Sequence, residues 1–360
     1  MNMRCDIIMP VWNELQATRE CVDSLTKNTG YPYRLVIVDN GSGRETSVYL
    51  TALKARADIN AVLIRNDENL GFAKGVNQGI AASDAPYLCV MNNDTVAAAG
   101  WLEEMMNVMA AHPEIGILNP SSNTSGQKGS GPATRNRQSG SGPFCGQIQE
   151  LYRARGFCML IRREVVEKVG LFDESYGRGY FEETDYSYRV QAAGFRIARA
   201  KGAYVYHKES ITFNKLADKE ELFRCNEKIF QEKWGKRLNV GYVLNRIESK
   251  DRINDIAVSV ARSGHQISIF LKKGLEWPVA IDHFDIRRVN VSPVFSGLGA
   301  FLKILKRKKK KKLDILLTDD PALGGFLQKM KSMHGSDVLI NTGKEELVRL
   351  LKDKRGNNAR

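Results

Sequence analysis

The first half of the chain alternates short apolar runs with longer amphipathic stretches, which predicts strands separated by helices. Strands are predicted at residues 5–9, 34–38, 61–64 and 87–91, and helices at residues 14–27, 71–82 and 101–111. In the first helix, Leu15, Thr18, Val22 and Leu25 share one face. Strands that alternate with helices in this way indicate an α/β fold with a mostly parallel sheet and helices on both faces.

The pattern restarts near Asn239 and predicts a second, smaller α/β unit. A helix at residues 252–262 precedes a strand at 266–271, and a strand at 313–317, a helix at 321–333 and a strand at 337–340 follow. We therefore place a first domain at residues 1–235 and a second at residues 240–360.

Residues 120–143 interrupt the first domain with a stretch rich in Ser, Gly, Asn and Thr. A long polar loop inside a compact domain is often a lid over a substrate site. The alternative is a disordered insertion.

The charge adds a second feature, because the net charge of +13 is unevenly distributed. Seven consecutive basic residues run from Lys306 to Lys312 and follow apolar residues, which defines a basic segment at residues 302–312. This segment indicates an anionic partner, either a membrane surface or a phosphate-bearing substrate, and a solvated loop is the alternative. Nucleic acid is not expected because no aromatic residues interleave with the basic run.

The six cysteines form no close CxxC pair, and several stand in apolar runs. They are interpreted as reduced core residues of a cytoplasmic protein and not as disulfides or a zinc site. No signal-peptide pattern and no apolar run of about 20 residues is present, so membrane contact is expected to be peripheral, on the inner face of the cell membrane.

Ligands of α/β sheets bind beyond the carboxyl ends of the strands, so the polar residues after each predicted strand are the first candidates. An open turn suited to a nucleobase or ribose edge follows the first strand, at Pro10, Val11, Trp12 and Asn13. Asp39 follows the second strand and can accept hydrogen bonds from a base or a ribose, although turn residues and helix caps are often Asp too. No G-x-G-x-x-G motif follows either strand, which disfavours a dinucleotide-dependent dehydrogenase.

A third cluster surrounds the start of the helix at residues 71–82. Asn66, Gly71 and Lys74 stand where backbone N–H groups of a helix N-terminus favour phosphate. The alternative is ordinary capping by Asn69, with small residues that allow close helix packing.

The fourth cluster directly follows the strand at residues 87–91. Asn92, Asn93 and Asp94 combine a carboxylate with amide oxygens, a set suited to Mg²⁺ or Mn²⁺ bridging the phosphates of a nucleotide diphosphate. Three polar residues after a strand are also a common turn.

An acidic cluster forms the fifth candidate. Glu182 and Glu183 stand where a helix starts, and the helix dipole keeps a nearby carboxylate ionised, as a general base requires. Thr184 is a candidate cap, and Asp185 is expected to pair with Arg189 four residues later. The alternative is the general preference for acids at helix N-termini.

His207 ends a strand-like run at residues 203–206 and is a candidate to complete the coordination of an ion on Asp94. A lone histidine is more often structural.

In this order, the motifs resemble the inverting glycosyltransferases of family 2, which have the GT-A fold. The similarity extends from about Asp6 to Phe213, over the segments IMPVWN at 8–13, VIVDNGS at 36–42, NLGFAKGVN at 69–77, NND at 92–94, GFCMLIRR at 156–163, GLFDE at 170–174 and FEETD at 181–185. Asn92 replaces the first Asp of the family's DxD metal motif, which leaves Asp94 as the main ligand. Glu183 stands where the family usually has Asp.

The resemblance implies a nucleotide-diphospho-sugar transferase of the GT-A fold that is metal-dependent and inverting. It implies a hexosyl- or deoxyhexosyltransferase that moves a sugar from a UDP-, GDP- or dTDP-linked donor to a hydroxyl of a glycan or lipid-linked glycan, in cell-surface polysaccharide synthesis. Glu183, or else Glu182, is expected to be the base, with Mg²⁺ or Mn²⁺ on Asp94 and His207. The expected donor-binding residues are Pro10, Val11, Trp12, Asn13, Asp39, Asn66, Gly71, Lys74, Asn92 and Asn93, and the expected acceptor-binding residues are Phe181 and Asp185.

Residues 251–266 and 313–323 resemble segments of GT-B glycosyltransferases, although the second domain is too short for a whole GT-B enzyme. Acceptor handling, membrane docking or assembly is therefore expected of it.

A catalytically silent sugar-nucleotide-binding or scaffold protein is the alternative for the whole chain, and the retained acids at 94, 182 and 183 argue against it. A nucleotidyltransferase is disfavoured because no Gly-rich basic loop follows the first strand.

Overall fold

A computed structural model describes residues 4–124, 139, 142–208, 219–292, 296–307 and 312–356. The chain divides into two compact units, Met1–Ile229 and Phe230–Arg360, a split that falls before the boundary predicted at residues 235–240. Most of the predicted lid at 120–143 and residues 308–311 of the basic run lie outside the described residues. None of the described helices is long and apolar enough to cross a membrane.

The first unit contains a mixed sheet in which nine strands are described. In chain order they are β1 (Cys5–Val11), β2 (Tyr33–Asn40), β3 (Ala61–Asn66), β4 (Tyr87–Met91), β5 (Thr95–Ala97), β6 (Ile115–Ser121), β7 (Ile148–Leu151), β8 (Cys158–Arg162) and β9 (Arg196–His207). Their order across the sheet is β3-β2-β1-β4-β8-β6-β9-β5, with β7 beside β9.

The helices of this unit lie between the strands and belong to the α/β architecture that the sequence predicted. They are α1 (Leu15–Asn28), α2 (Arg44–Lys54), α3 (Phe72–Ala81), α4 (Trp101–Ala111), α5 (Arg163–Val169) and α6 (Glu182–Ala192), and α7 (Lys219–Trp234) leads into the second unit. The sequence prediction missed α2, whose first turn is polar and whose inner face is marked only by Thr46, Leu50 and Leu53.

Strand direction divides the sheet into two parts. β1 runs parallel to β2 and β4, and β2 parallel to β3, so the carboxyl ends of these four strands share one edge. The mostly parallel sheet that was predicted is confirmed here. β8 runs antiparallel to β4 and β6, and β5 and β7 antiparallel to β9, a mixture that apolar periodicity cannot reveal because it reports a strand but not its direction.

Close packing brings α3 to the edge where β1 and β4 end. Val76 and Ile80 are buried on its inner face. A side chain at Gly79 would overlap the Cγ2 methyl of Ile8 on β1, so the glycine allows helix and strand to approach closely. The N-terminus of α3 therefore lies beyond the strand ends.

The second unit contains a wholly parallel sheet of five described strands. These are β10 (Asn239–Leu244), β11 (Gln266–Lys272), β12 (Ile286–Val291), β13 (Ile315–Thr318) and β14 (Asp337–Ile340), in the order β12-β11-β10-β13-β14. The helices are α8 (Lys250–Arg262), α9 (Ser296–Leu305), α10 (Pro321–Lys329), α11 (Lys331–His334) and α12 (Lys344–Arg355). A second, smaller α/β unit is thus confirmed, whereas its likeness to GT-B enzymes stays a prediction.

All six cysteines are free thiols, but they are not all in the core. Cys5, Cys21, Cys89 and Cys158 are buried, whereas Cys145 and Cys225 are exposed. The prediction of core residues is therefore wrong for the last two, which stand outside the strands that carry the apolar runs.

Candidate active site

A cavity of about 370 Å³ opens at the edge where β1 and β4 end and α6 begins. Ten of the residues predicted from the sequence line it: Pro10, Val11, Trp12, Gly71, Asn92, Asn93, Asp94, Glu182, Glu183 and His207. They come from the end of β1 and the turn after it, the N-terminus of α3, the turn between β4 and β5, the first turn of α6 and the end of β9. The topology of the sheet thus brings together side chains that lie up to 197 positions apart in the chain.

Asn13 joins the turns that follow β1 and β2, beside the cavity. Its backbone N–H donates to the Oγ of Ser42 over 2.8 Å, and its Oδ1 accepts from the backbone N–H of Gly43 over 2.8 Å. Asn13 has a φ of 58°, a left-handed conformation that Asn tolerates better than most residues. Its side chain therefore shapes the turns and does not line the cavity.

Asp39 lies beneath these turns, away from the cavity wall. Its buried carboxylate accepts from the backbone N–H of Ser42 over 2.9 Å and pairs with the guanidinium of Arg65. The next residue, Asn40, lines the cavity instead. Neighbouring residues of a strand point to opposite faces, so only one of the two side chains can enter the site.

A network of amide side chains connects Asn66 with the start of α3. The Nδ2 of Asn66 donates over 2.8 Å to both Asn40 and Gln78, and the Nδ2 of Asn40 donates over 3.0 Å to the carbonyl of Gly71. Asn66 thus does not line the cavity itself but holds Asn40, which does. Lys74 is exposed on α3 and does not line the cavity.

Gly71 is the N-terminal cap of α3 and forms part of the cavity wall. Its φ of 87° is a conformation that favours glycine, and a Cβ there would overlap the carbonyl oxygen of Gly177. The Oδ1 of Asn69 accepts from the N–H of Gly71 over 2.9 Å, but no side chain caps α3, so the alternative of capping by Asn69 is wrong. Asn69 lines the cavity instead.

Asp94, which directly precedes β5, and His207, the last residue of β9, approach each other. β5 pairs with β9 so that Thr95 lies opposite His207, and the Oδ1 of Asp94 is 3.1 Å from the Nε2 of His207. Apart from this ion pair, the Oδ1 of Asp94 and the Nδ1 of His207 are buried without a hydrogen bond to any described residue. Phe157 stacks on the imidazole with ring centroids 5.2 Å apart.

These two side chains satisfy part of what a divalent ion needs. A spacing of about 3 Å between two donor atoms is that of neighbouring ligands at about 2.1 Å from an octahedral ion. No group of three or more His, Cys, Asp or Glu side chains among the described residues forms a complete metal site. Mg²⁺ typically takes one or two carboxylates plus substrate phosphates and water, so a two-residue site fits such an ion.

Glu182 and Glu183 enter the cavity from the first turn of α6. Glu182 is only 6% exposed, and its Oε2 is buried without a hydrogen bond to any described residue. Burial, reinforced by the neighbouring charge of Glu183, raises the pKa of Glu182 well above its usual range. Burial also raises the pKa of Glu183, but its backbone N–H and the positive charges of Arg155 and Arg153 oppose that rise.

The remaining residues of the acidic cluster lie outside the cavity wall. Asp185 is buried and accepts from the Nε of Arg189 over 2.8 Å, so the predicted pairing is confirmed. Phe181 caps α6 with a φ of 75° and packs its ring 5.2 Å from that of Phe223. Thr184 does not cap the helix, because the chain enters α6 through Phe181 without any side-chain cap.

Seven further residues line the cavity to which the sequence assigned no binding or catalytic role: Asn40, Asn69, Phe72, Gly156, Phe157, Arg178 and Tyr180. The first five lie in segments that resemble family 2, whereas Arg178 and Tyr180 lie outside them. Arg178 and Tyr180 stand in the run Gly177-Arg178-Gly179-Tyr180, directly before the glutamates. Two glycines on either side of an arginine, so close to the acidic cluster, could have indicated from the sequence that a turn lies at the site.

Comparison with known proteins agrees with this arrangement. Residues 6–170 match the family described as Glycosyl transferase family 2. This part of the chain belongs to glycosyl transferase family 2. Glu182, Glu183 and His207 lie beyond the matched residues, so the geometry of the cavity is what connects them with the family 2 domain.

Two curated relatives have 25% identity to the chain. One is the uncharacterized protein y4gI of Sinorhizobium fredii, over 63% of this chain and 27% of the relative, and the other is glycosyltransferase AglE of Haloferax volcanii, over 54% of this chain and 63% of the relative. The chain thus spans less than two thirds of the length of either relative.

The fold is GT-A. The crystal structure of GalNAc-T7 with UDP, GalNAc and Mn²⁺ superimposes with a TM-score of 0.51 at 14% identity, over 64% of this chain and 48% of that one. At this identity the likeness concerns the fold.

Proposed function

We propose that this protein is a metal-dependent inverting glycosyltransferase. One observation carries the proposal: a single cavity contains a carboxylate–imidazole pair, Asp94 and His207, and a pair of carboxyl groups, Glu182 and Glu183. Glu182 and His207 each have a buried polar atom without a hydrogen bond to the described residues, and the buried Oδ1 of Asp94 has its contact with the Nε2 of His207. Buried polar groups are normally paired, so these atoms are suited to partners that arrive with a substrate.

The donor would lie along the strand ends of the family 2 domain. Pro10, Val11, Trp12, Gly71, Asn92 and Asn93 line the cavity and would contact the donor directly. Asn13, Asp39 and Asn66 hold the turns from behind, and Lys74 supplies a positive charge on α3 near the start of the helix. Backbone N–H groups at that helix start favour the diphosphate.

Asp94 and His207 would hold Mg²⁺ or Mn²⁺. When bound, such an ion neutralises charge that develops on the leaving diphosphate. The Oδ1 of Asp94 and the Nε2 of His207, 3.1 Å apart, would be the protein ligands.

Glu183 would act as the base and Glu182 as a proton-bearing neighbour. Burial raises the pKa of both carboxyl groups, and the unpaired buried oxygen of Glu182 favours its protonated form, whereas the positive charges of Arg155 and Arg153 favour the anion at Glu183. The acceptor hydroxyl oxygen then forms a bond with the anomeric carbon as the bond to the diphosphate oxygen breaks. The hydroxyl proton passes to Glu183, and the configuration at the anomeric carbon inverts.

The donor is proposed to be a UDP-, GDP- or dTDP-linked hexose or deoxyhexose. The acceptor is proposed to be a glycan or lipid-linked glycan of a surface polysaccharide. Two relatives support this range: the O-antigen biosynthesis protein RfbC of Myxococcus xanthus is 26% identical over 58% of this chain, and GalNAc-T7 was crystallised with UDP, GalNAc and Mn²⁺.

A panel of nucleotide sugars tests the proposal. The protein is incubated with UDP-, GDP- and dTDP-sugars plus Mg²⁺ or Mn²⁺, and release of free nucleotide is measured with and without EDTA. We expect release from one nucleotide class that EDTA abolishes and excess Mn²⁺ restores. Donor binding without release for every donor, with glycan and lipid-linked acceptors present, would identify a catalytically silent sugar-nucleotide-binding protein instead.

We also propose that the protein is cytoplasmic and contacts the inner face of the cell membrane through α9. The inner side of α9 buries Ala300, Phe301 and Ile304. On its outer side, Leu298 and Leu302, one turn apart, are 50% and 48% exposed. The basic segment that follows attracts anionic lipid headgroups, and exposed leucines beside such charge fit a lipid surface.

Sedimentation with vesicles tests this contact. Phosphatidylcholine vesicles with and without phosphatidylglycerol are compared, at low and high salt. We expect binding only to the anionic vesicles, weakened by L298Q/L302Q and by K306Q/K312Q. The controls V48Q and K344Q/K352Q change matched exposed positions elsewhere and are expected to bind like the unmodified protein. Equal binding by all variants contradicts the proposal.

A further inference from the structure

The turn that leads into α6 has an unusual backbone. Tyr180 and Phe181, the two residues before Glu182, have φ values of 71° and 75°. Non-glycine residues rarely adopt this left-handed conformation, and two in succession persist only when the surrounding structure holds them. The position of both glutamates therefore depends on whatever holds this turn.

Asn226 of α7 is bonded to this turn from one side. Its side chain is only 3% exposed, and its Nδ2 donates to the carbonyls of Tyr176 and Gly179 over 2.7 Å each and to the carbonyl of Tyr180 over 3.2 Å. One amide group thus reaches three carbonyls of a single turn. Three residues before Asn226, the ring of Phe223 packs 5.5 Å from that of Tyr180.

Gly71 borders the same turn on the side of the donor. A Cβ at residue 71 would overlap the carbonyl oxygen of Gly177, so the turn and the N-terminus of α3 are in close contact. Between these two supports the turn presents Arg178 and Tyr180 to the cavity, immediately before Glu182 and Glu183.

We infer that Asn226 is a positioning residue for the two glutamates, acting through the turn of residues 176–181. The inference rests on the proposed function, because it concerns the residues proposed to carry out proton transfer. Asn226 lies beyond the residues that match family 2 and beyond the similarity seen in the sequence. If it positions the glutamates, α7 is required for activity together with the family 2 domain.

Loss of this support has an expected effect on the electrostatics of the site. A looser turn admits water to the carboxyl groups, which removes part of the burial that raises the pKa of Glu182 and Glu183. The other charged and titratable groups near this pair are Arg153, Arg155, Arg178, Tyr180, Asp94 and His207. None of these side chains is altered when Asn226 is replaced.

The test compares Asn226→Ala with Asn77→Ala. Asn77 is a matched control, since it is 6% exposed and its Nδ2 donates over 2.9 Å to Phe172 and Glu174, which precede the turn of residues 176–181 and do not belong to it. Asn226→Ser retains one donor and is expected to fall between N226A and the unmodified protein. Each variant is examined by nucleotide release, by the pH profile of kcat and by hydrogen exchange.

We expect N226A to lower kcat about 10- to 100-fold with little change in the donor KM, because a misplaced base slows the chemical step more than donor binding. The acid limb of its kcat profile is expected to move to lower pH, and exchange of the amides of residues 176–182 is expected to rise. N77A is expected to lower Tm without moving the acid limb or the exchange of residues 176–182.

Three outcomes overturn the inference: an unchanged kcat profile in N226A, unchanged exchange at residues 176–182, or the same changes in N77A. If the unmodified protein releases no nucleotide from any donor, the proposed function fails while the exchange experiment still decides whether Asn226 holds the turn.

Discussion

The two units place polar side chains at the same edge of an α/β sheet but use them in opposite ways. In the second unit, Asp319 follows β13 and accepts from the hydroxyl of Tyr242 and from Arg252, whose Nη2 is 3.2 Å away. Asp320 accepts from the Nδ2 of Asn245 over 2.8 Å. In the first unit, the Oε2 of Glu182 and the Nδ1 of His207 are buried without a hydrogen bond to any described residue, and the Oδ1 of Asp94 faces the Nε2 of His207, 3.1 Å away.

This difference shows that the position of polar residues at strand ends does not by itself identify a site. The described strand-end groups of the second unit pair with one another, so a ligand would have to break existing hydrogen bonds to bind there. The groups of the first unit gain hydrogen bonds or coordination when a ligand arrives. Four substitutions test this contrast, from the largest expected effect to the smallest.

Glu183→Gln is expected to lower kcat about 10³-fold, since it removes the proposed base and leaves a similar shape. Glu182→Gln is its matched partner, because an amide resembles the protonated carboxyl proposed there, and we expect a loss of about tenfold or less. Steady-state nucleotide release measures both, and unchanged circular dichroism confirms folding. Equal losses would contradict the division of roles, and a larger loss in E182Q would transfer the base role to Glu182.

Asp94→Ala is expected to lower turnover about 10²- to 10³-fold by weakening metal binding, because it removes the carboxylate of the proposed pair. The concentration of Mn²⁺ that gives half-maximal rate is expected to rise, and calorimetric titration with Mn²⁺ checks this without any sugar. Normal turnover and normal Mn²⁺ binding in D94A would remove Asp94 from the site.

Asp319→Ala is expected to change stability and not turnover. The substitution leaves the hydroxyl of Tyr242 and the guanidinium of Arg252 without their carboxylate partner, which costs about 1–3 kcal/mol of the free energy of unfolding of the second unit. Urea unfolding measures this loss, and Asp255→Ala, on the exposed side of α8, is the control. A large loss of kcat in folded D319A would show that the second unit takes part in the reaction.

The smallest effect concerns pH and Glu182. A carboxyl whose pKa is raised in the folded state adds stability that is fully present below its unfolded pKa and is lost as the pH rises through the folded pKa. Glu182→Gln removes this dependence, so the unmodified protein is expected to lose stability relative to E182Q as the pH rises above about 4.3. The slope is at most about 1.4 kcal/mol per pH unit, and unfolding curves at several pH values measure it.

Much of the fold could be predicted because apolar periodicity is strong where an element is buried. The predicted bounds of β4, α4 and β14 agree with the structure. The periodicity is weak in β12, where Arg287 and Arg288 are exposed, and in β5, which has only three residues. The helix predicted at residues 321–333 divides at Met330 into α10 and α11, which the apolar pattern does not indicate.

The candidate site was predictable to the level of the strand ends but not to the level of side-chain direction. Sequence motifs identified both Asp39 and Asn66 as candidates. The alternation of side chains along the strand directs Asp39 away from the cavity, and the side-chain amide of Asn66 is hydrogen-bonded to Gln78. The roles of Arg178, Tyr180 and Asn226 follow from the conformation of the turn before α6, and no periodic pattern of apolar residues predicts that conformation. Such residues are found only once the contacts between distant segments are known.

The contact between Gly71 and the carbonyl of Gly177 has a consequence for redesign. The loop that contains Gly71 and the turn before Glu182 meet with no room for even a methyl group. A change in the shape of one therefore requires a change in the other. An engineer who exchanges one of these loops for that of a relative, in order to change the sugar that is accepted, has to exchange both as a matched pair.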